Sequence, residues 1–318
     1  MHKRCLLKGL AAAPLLTWGE RSQAANAMRI MVPASAGGGW DTTARALGDA
    51  LLAVREAAIV RYQTRSGAAG TMGLAQFASE SRGDANALMV MGSVMLGGIL
   101  SGKPPVDLST LTPIARLSSE YNVIVVPSDS PFMHMREVLA RFAQDPASIR
   151  WGGGSRGATE HIVLGLLAQS LGVRTAALNY VPFRGGGEAA AALLSGAVMA
   201  ASSGASEFMP HIQAGRMRAL AVTSPQRMAD LDVPTLRELG QEVVMGNWRG
   251  VYGGAELSAA QQRSLIQRVQ IAVRSPAWQA ALHRHGWQDD WLAGEAFAQF
   301  VREDFARMAS VMSAAGLR

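Results

Sequence analysis

The residues with the clearest chemical potential lie in short loops rich in glycine, each between an apolar run and a helical pattern. Residues 35–41 read Ser-Ala-Gly-Gly-Gly-Trp-Asp and follow the apolar run 28–32. A helix N-terminus presents unpaired backbone N–H groups and the positive end of the helix dipole, so it can bind an anion without a cationic side chain. Glycine lets the anion approach the backbone closely. The loop predicts either an anion site or, more simply, a tight strand-to-helix turn.

Loops of similar composition end several other β-rich runs. They comprise residues 66–71, 92–93, 152–157, 182–187 and 202–206. Open α/β sheets bind ligands at the carboxyl ends of their strands. The recurrence therefore favours one shared ligand cleft and adds Gly39, Ser93 and Gly186 to the candidate binding residues.

Two motifs associated with enzymes overlap in the loop 152–157. Gly152, Gly154 and Gly157 fit the G-x-G-x-x-G pattern of dinucleotide sites, but the acidic residue that should follow the next strand is missing. The same loop fits the G-x-S-x-G nucleophile elbow, with Ser155 as the nucleophile.

A catalytic triad would need an acid and then a histidine later in the chain, and these could come from Asp230 or Asp232 with His283 or His285. Those histidines lie in a polar helix end, where capping of carbonyl groups is the simpler role. A secreted serine hydrolase is therefore the alternative to a binding protein.

Two charged side chains of the loops have alternative roles. Asp41 could face a ligand, or it could accept hydrogen bonds at the helix start and pair with Arg45 four residues later. Arg184 could clamp a carboxylate with two parallel hydrogen bonds, or it could be a solvated loop residue.

The elements that position these loops alternate in the order strand, helix, strand, which predicts α/β architecture with mainly parallel sheets. A strong apolar strand at 121–126 precedes a break at 127–131, after which the alternation restarts and runs to a strand at 217–223. The rest is mostly helical, with a capping box at 258–261 and a last helix from about Glu295. We expect one lobe from residues 28–126 plus 225–318 and a second from 127–224.

The first 27 residues differ from the rest in kind. Basic residues lead into an apolar run that is too short for a membrane span, and Ala-Asn-Ala follows at 25–27. This order predicts a cleaved signal peptide and a periplasmic location; the alternative is an N-terminal amphipathic helix. Removing the segment lowers the net charge from +6 to +3.

The composition of the remaining chain excludes several classes of protein. It has no cysteine, its histidines are dispersed, and its arginines form no basic run, so we expect no metal site and no nucleic-acid partner. No cofactor is indicated, and we expect a monomer without enzyme activity.

Four ordered motifs together resemble a known family. They are Pro-Ala-Ser-Ala-Gly-Gly-Gly-Trp-Asp at 33–41, Gly-Ala-Ala-Gly at 67–70, Pro-Phe-Arg-Gly-Gly at 182–186 and Asn-Trp-Arg-Gly-Val at 247–251. The chain is similar over nearly its whole mature length to the extracytoplasmic solute receptors of tripartite tricarboxylate transporters, also called Bug receptors. Two variants, Gly-Gly-Gly-Trp-Asp and Asn-Trp-Arg-Gly, are most similar to the branch associated with citrate-like tricarboxylates.

The resemblance implies a two-lobed fold like the type II periplasmic binding proteins, which closes on a carboxylate held partly through ordered waters. It also implies that the protein delivers its ligand to membrane subunits of the transporter. The implied binding residues are Ser35, Gly38, Trp40, Asp41, Thr42, Ser66, Gly67, Ala69, Ser155, Thr159, Arg184, Gly185 and Ser203. The chain departs from the family at residues 63–65 and 252–256, which puts the identity of the ligand in doubt more than the fold.

Overall fold

The structure is a computed structural model in which residues 27–314 are described. The expected signal peptide lies almost entirely outside the described residues. Within residues 27–314, no helix is long and apolar enough to cross a membrane.

The first lobe begins with three parallel strands in the order β2, β1, β3. These strands are β1 (Ala27–Val32), β2 (Ile59–Thr64) and β3 (Ala87–Gly92). The helices that follow them are α1 (Gly39–Ala53), α2 (Thr71–Glu80) and α3 (Ser93–Gly102). The glycine-rich loops predicted from the sequence therefore follow these strands at one edge of the sheet. That edge faces the second lobe.

One long strand, β4 (Thr112–Pro127), belongs to both lobes. Its first part, residues 112–121, pairs antiparallel with β9 (Gly246–Gly253). Its second part, residues 122–127, pairs antiparallel with strands of the second lobe. The pairing changes slightly before the boundary at 126 that the sequence suggests.

The second lobe repeats the strand–helix alternation. Its elements are α4 (Met135–Gln144), β5 (Trp151–Gly153), α5 (Thr159–Ser170), β6 (Tyr180–Pro182), α6 (Gly186–Leu194), β7 (Ala200–Gly204), α7 (Ala205–Gln213) and β8 (Met217–Val222). Strand β5 is parallel to β6 and β7. The outer strands of both lobes are thus parallel as predicted, whereas the pairs around β4 and β9 are antiparallel.

The chain then returns to the first lobe. After β9 it forms α8 (Ala259–Val273), α9 (Pro276–His285), β10 (Gln288–Ala293) and α10 (Gly294–Ala314), and β10 pairs antiparallel with β4. The capping box predicted at the start of α8 is confirmed, because Ser258 accepts a hydrogen bond from the Gln261 amide and the Gln261 side chain accepts one from Ser258.

A continuous apolar core runs through the first lobe and one face of the second, and a smaller core fills the other face of the second lobe. The two lobes also touch directly, because a Cβ atom added to Gly97 of α3 would meet the carbonyl oxygen of Gly157 at 2.0 Å. Only glycine fits at that contact. The loop before α5 is therefore held against the first lobe, which fixes one end of the space between the lobes.

Candidate functional site

A cleft of about 270 Å³ lies between the two lobes at the carboxyl ends of their strands. Of the sixteen residues predicted to bind a ligand, eleven line it: Ser35, Gly38, Gly39, Trp40, Ser66, Gly67, Ala69, Ser155, Arg184, Gly185 and Gly186. The structure thus brings together loops that are far apart in the sequence.

The first wall of the cleft contains the start of α1. Gly38 is the cap residue, and no side-chain hydrogen bond from the described part of the chain caps the first turn. The N–H groups at the start of a helix have no partner within the helix, so those of Gly39 and Trp40 are available to a ligand. This arrangement can hold an anion with neutral donors.

The second loop of this wall has an unusual backbone. Residues 67–70 all have positive φ, and two of them are alanines, Ala68 at 48° and Ala69 at 52°. Such conformations are costly for residues with a Cβ and tend to occur at functional sites. The ring of Trp40 packs on this loop so closely that a Cβ on Gly70 would lie 2.6 Å from it. Trp40 therefore joins the two loops into one wall.

The opposite wall begins with the loop before α5, where Gly154, Ser155 and Ala158 line the cleft. The Ala158 amide donates to the carbonyl of Ser155, and no side chain caps the first turn of α5. One turn further, His161 accepts a hydrogen bond from the Gly157 amide through Nδ1 and stacks on Tyr180. Burial lowers the pKa of His161 to about 4. Its role is therefore structural.

The loop before α6 completes this wall. The side chain of Arg184 is 82% exposed and pairs with Glu188. The amide of Gly186, at the start of α6, donates to the carboxylate of Glu207 at 3.2 Å. This helix start, unlike that of α1, already has an anionic partner within the protein.

The floor between the walls carries a buried ion pair. Arg249 of β9 lies 2.8 Å from Glu120 of β4, and both side chains are almost inaccessible to solvent. A Cβ on Gly39 would lie 2.7 Å from the Arg249 guanidinium. Glycine at this position therefore lets the start of α1 rest on the arginine.

Five predicted residues do not line the cleft, and each forms hydrogen bonds elsewhere in the protein. Asp41 accepts hydrogen bonds from the Gly37 amide and from Arg45, at 2.8 and 2.9 Å, which fits the structural role considered above. Its other oxygen is buried without a hydrogen-bond partner. The other four form hydrogen bonds within the protein: Thr42 with Gly38, Ser93 with Trp248, Thr159 with Asn122, and Ser203 with Glu207.

Four charged residues of the site were not among the predicted ligand-binding residues. Three of them line the cleft, namely Glu160, Glu207 and Arg249. The fourth, Glu120, is the ion-pair partner of Arg249. Glu160 follows the predicted helix start directly, where an acid usually serves the helix dipole. Arg249 lies in one of the four family motifs, so that motif was a usable signal.

The acidic side chains of the site shift one another's pKa values. Burial, followed by the nearby charges of Glu207 and Glu120, raises the pKa of Glu160 to about 7. Burial and the charge of Glu120 also raise the pKa of Glu207, against the opposing effect of Ser203 and Arg249. The second wall therefore disfavours the ionised forms of its own carboxyl groups.

Comparison with known proteins identifies the family. The family model described as "Tripartite tricarboxylate transporter family receptor" matches residues 45–317. Protein BugT of Bordetella pertussis is 26% identical over 299 residues, which cover 92% of this chain and 90% of BugT.

Two solved structures share the fold. The periplasmic binding protein BugD superimposes with a TM-score of 0.80 at 24% identity, covering 92% of this chain and 98% of BugD. MatC of Rhodopseudomonas palustris, with bound malate, gives a TM-score of 0.79 at 22% identity and covers 90% of this chain and 98% of MatC. The chain has the two-lobed fold of these binding proteins, and it belongs to the receptor family of the tripartite tricarboxylate transporters.

Proposed function

We propose that this protein is a periplasmic solute receptor that captures a small carboxylate between its lobes and delivers it to the membrane subunits of a tripartite tricarboxylate transporter. The observation that supports this most is the uncapped start of α1 at a cleft lined by small residues. The ligand chemistry agrees with the malate bound to MatC. No reaction is part of the proposal.

The physical basis of capture is the exchange of water for backbone donors. Closure of the lobes removes the ligand carboxylate from water, which is unfavourable unless protein donors replace the lost hydrogen bonds. The amides of Gly39 and Trp40 supply such donors. The ligand then stabilises the closed form because it binds both walls only in that form.

The proposal includes the lobe boundaries given above, the signal peptide at residues 1–27, and di- or tricarboxylates as the wider ligand class. The volume of about 270 Å³ favours a small molecule. A citrate-like trianion is the least favoured member of this class, because Glu160 and Glu207 line the same cleft.

The alternative, a serine hydrolase, gains no support from the site. Within residues 27–314, no hydrogen bond joins the Ser155 hydroxyl to a histidine, and the nearby His161 uses Nδ1 to hold the Gly157 amide. Asp232 lies on the surface, where it pairs with Arg227.

A thermal-shift panel of citrate, succinate, malate, aspartate, nicotinate and aromatic acids tests the proposal. We expect at least one carboxylate to stabilise the protein by about 2.7 kcal/mol at a hundredfold excess over its dissociation constant. Hydrolysis of a nitrophenyl ester should be absent. Ester turnover that disappears in Ser155→Ala would decide for the hydrolase.

A further inference from the structure

The second wall contains a buried carboxyl group, that of Glu160, at the cleft. Glu160 is only 5% exposed and lines the cleft, and its Oε2 has no hydrogen-bond partner within residues 27–314. A Cβ placed on Gly154, which also lines the cleft, would lie 2.9 Å from this oxygen. Buried polar atoms are nearly always paired, so an unpaired one beside a ligand cleft indicates a donor that arrives with the ligand.

A second carboxylate lies on the same wall. Glu207 accepts hydrogen bonds from the Gly186 amide at 3.2 Å and from the Ser203 hydroxyl at 2.5 Å. It therefore occupies the helix start that a ligand carboxylate would otherwise use. An anionic group of the ligand would have to displace Glu207 or lie beside it.

The local cations do not balance these charges. Arg249 is already paired with Glu120, and Arg184 is 82% exposed and paired with Glu188. Carboxyl groups that outnumber the free cations of a site repel one another and disfavour their ionised forms. A positive group in the cleft would relieve this repulsion, whereas another carboxylate would increase it.

The first wall has the opposite character. Among residues 27–314, no acidic residue of the first lobe lines the cleft, and the start of α1 offers amide donors there. Within the described part of the chain, no group of three or more His, Cys, Asp or Glu residues could hold a metal ion. The missing cation is therefore better supplied by an organic ligand than by a metal.

We propose that the ligand is an amino carboxylate, whose carboxylate binds the amides of the first wall and whose ammonium group binds Glu160 and Glu207. This inference rests on the proposed function, because it specifies which carboxylates the receptor takes. The ammonium would donate to the unpaired Oε2 of Glu160 and contact the carboxylate of Glu207, so that each charged end of the ligand meets the wall of opposite polarity.

The test compares pairs of compounds that differ by one amino group. Isothermal titration calorimetry at pH 8 would measure propionate against L-alanine, succinate against L-aspartate, and glutarate against L-glutamate. We expect the amino member of at least one pair to bind at least tenfold more tightly. A preference below tenfold in every pair, or binding of another acid of the wider panel when none of these six compounds binds, would overturn the inference and leave the proposed function intact. If no member of any pair binds and the wider acid panel also fails, the proposed function itself is contradicted.

The Glu160→Gln variant separates two roles of this side chain. Glutamine keeps the shape and can donate a hydrogen bond, but it lacks the negative charge. An ammonium partner predicts that the preference for the amino compound falls at least tenfold in this variant. A protonated Glu160 that donates to a ligand carboxylate predicts no loss, and that result would overturn the inference.

Matched controls keep the result interpretable. Glu303→Gln makes the same chemical change on an exposed position of α10 and should leave both affinities unchanged. Glu207→Gln should reduce the preference in the same direction as Glu160→Gln. Circular dichroism melts of each variant show that it is folded before the titrations are compared.

Discussion

The two walls of the cleft are built from the same kind of loop but differ in polarity. In the first lobe, Asp41 turns away from the cleft toward Gly37 and Arg45, and the start of α1 stays open. In the second lobe, Glu207 covers the start of α6 and Glu160 faces the cleft. A glycine-rich helix start is therefore available to an anion only where no acidic residue of the protein reaches it first.

The largest effect is expected where the two loops of the first wall meet. Gly70→Ala should destabilise the protein by about 3 kcal/mol, because Gly70 has a φ of 93° and the added Cβ would lie 2.6 Å from the Trp40 ring. Urea denaturation measures the change. Gly172→Ala is the matched control, since its φ is 68° and nothing lies within 4 Å of the added atom. The control should cost only about 1 kcal/mol, and an equal loss in both variants would show that Trp40 moves aside.

The charge of the second wall should appear in the pH dependence of stability. The folded protein raises the pKa of Glu160 from 4.5 to about 7, so its contribution to stability is present at low pH and is lost as the pH rises through this window. The loss amounts to about 3 kcal/mol. Denaturation of wild type and Glu160→Gln at pH 4.5 and pH 8 should show the smaller change with pH in the variant.

The comparison of the two proteins is needed because neighbouring groups also titrate. Glu207 has a raised pKa, so its contribution to stability also falls as the pH rises. His161 has a pKa lowered to about 4, so its contribution falls as the pH is lowered. Glu120, Arg249, Arg156 and Tyr180 also act on this cluster. If wild type and Glu160→Gln have parallel stability profiles, Glu160 does not carry the buried charge of this wall.

A smaller effect is expected at the residue that shapes the first wall. Asp41→Ala removes two hydrogen-bond acceptor contacts from a buried position and should destabilise the protein by about 1–3 kcal/mol while weakening ligand binding. Asp49→Ala changes an exposed acid on the same helix and should stay within about 0.5 kcal/mol of wild type. Weaker binding with unchanged stability would instead indicate direct contact between Asp41 and the ligand.

The smallest effect is expected at Arg184. Among the described residues, it is the only basic side chain of the second wall that lines the cleft. Because Arg184 is 82% exposed and paired with Glu188, Arg184→Ala should change ligand affinity less than about threefold. Arg174→Ala, an exposed arginine of the same lobe, serves as the control in calorimetry. A loss of affinity above tenfold in Arg184→Ala alone would instead support the role of Arg184 as a carboxylate clamp.

Much of the fold follows from local pattern. The parallel strands with their glycine-rich loops, the capping box at Ser258 and the apolar face of α10 are all visible in the sequence. The first part of β4 is not, because residues 118–120 are Ser-Ser-Glu and yet are buried. Their polar groups are stabilised by neighbours from distant parts of the chain, such as Arg249 beside Glu120. A hydrophobic pattern therefore detects only the second part of that strand.

The candidate site divides in the same way. Eleven of its predicted residues line the cleft because glycine and serine after a strand mark the loop edge of an α/β sheet. Glu160 and Glu207 were missed because an acid in the first turn of a helix usually serves that helix alone. Nothing in the local sequence shows that Glu207, in α7, reaches the Gly186 amide at the start of α6.

The sequence by itself determined the α/β alternation, the loops at the strand ends and the family, since these depend on residue types at short spacing. The tertiary structure decided which helix starts remain open and which are covered by carboxylates. That choice depends on distances between groups more than 20 residues apart in the chain, such as the Gly186 amide and the Glu207 carboxylate. Electrostatic interactions in a buried cleft are set by such distances, so the polarity of the two walls is a property of the fold.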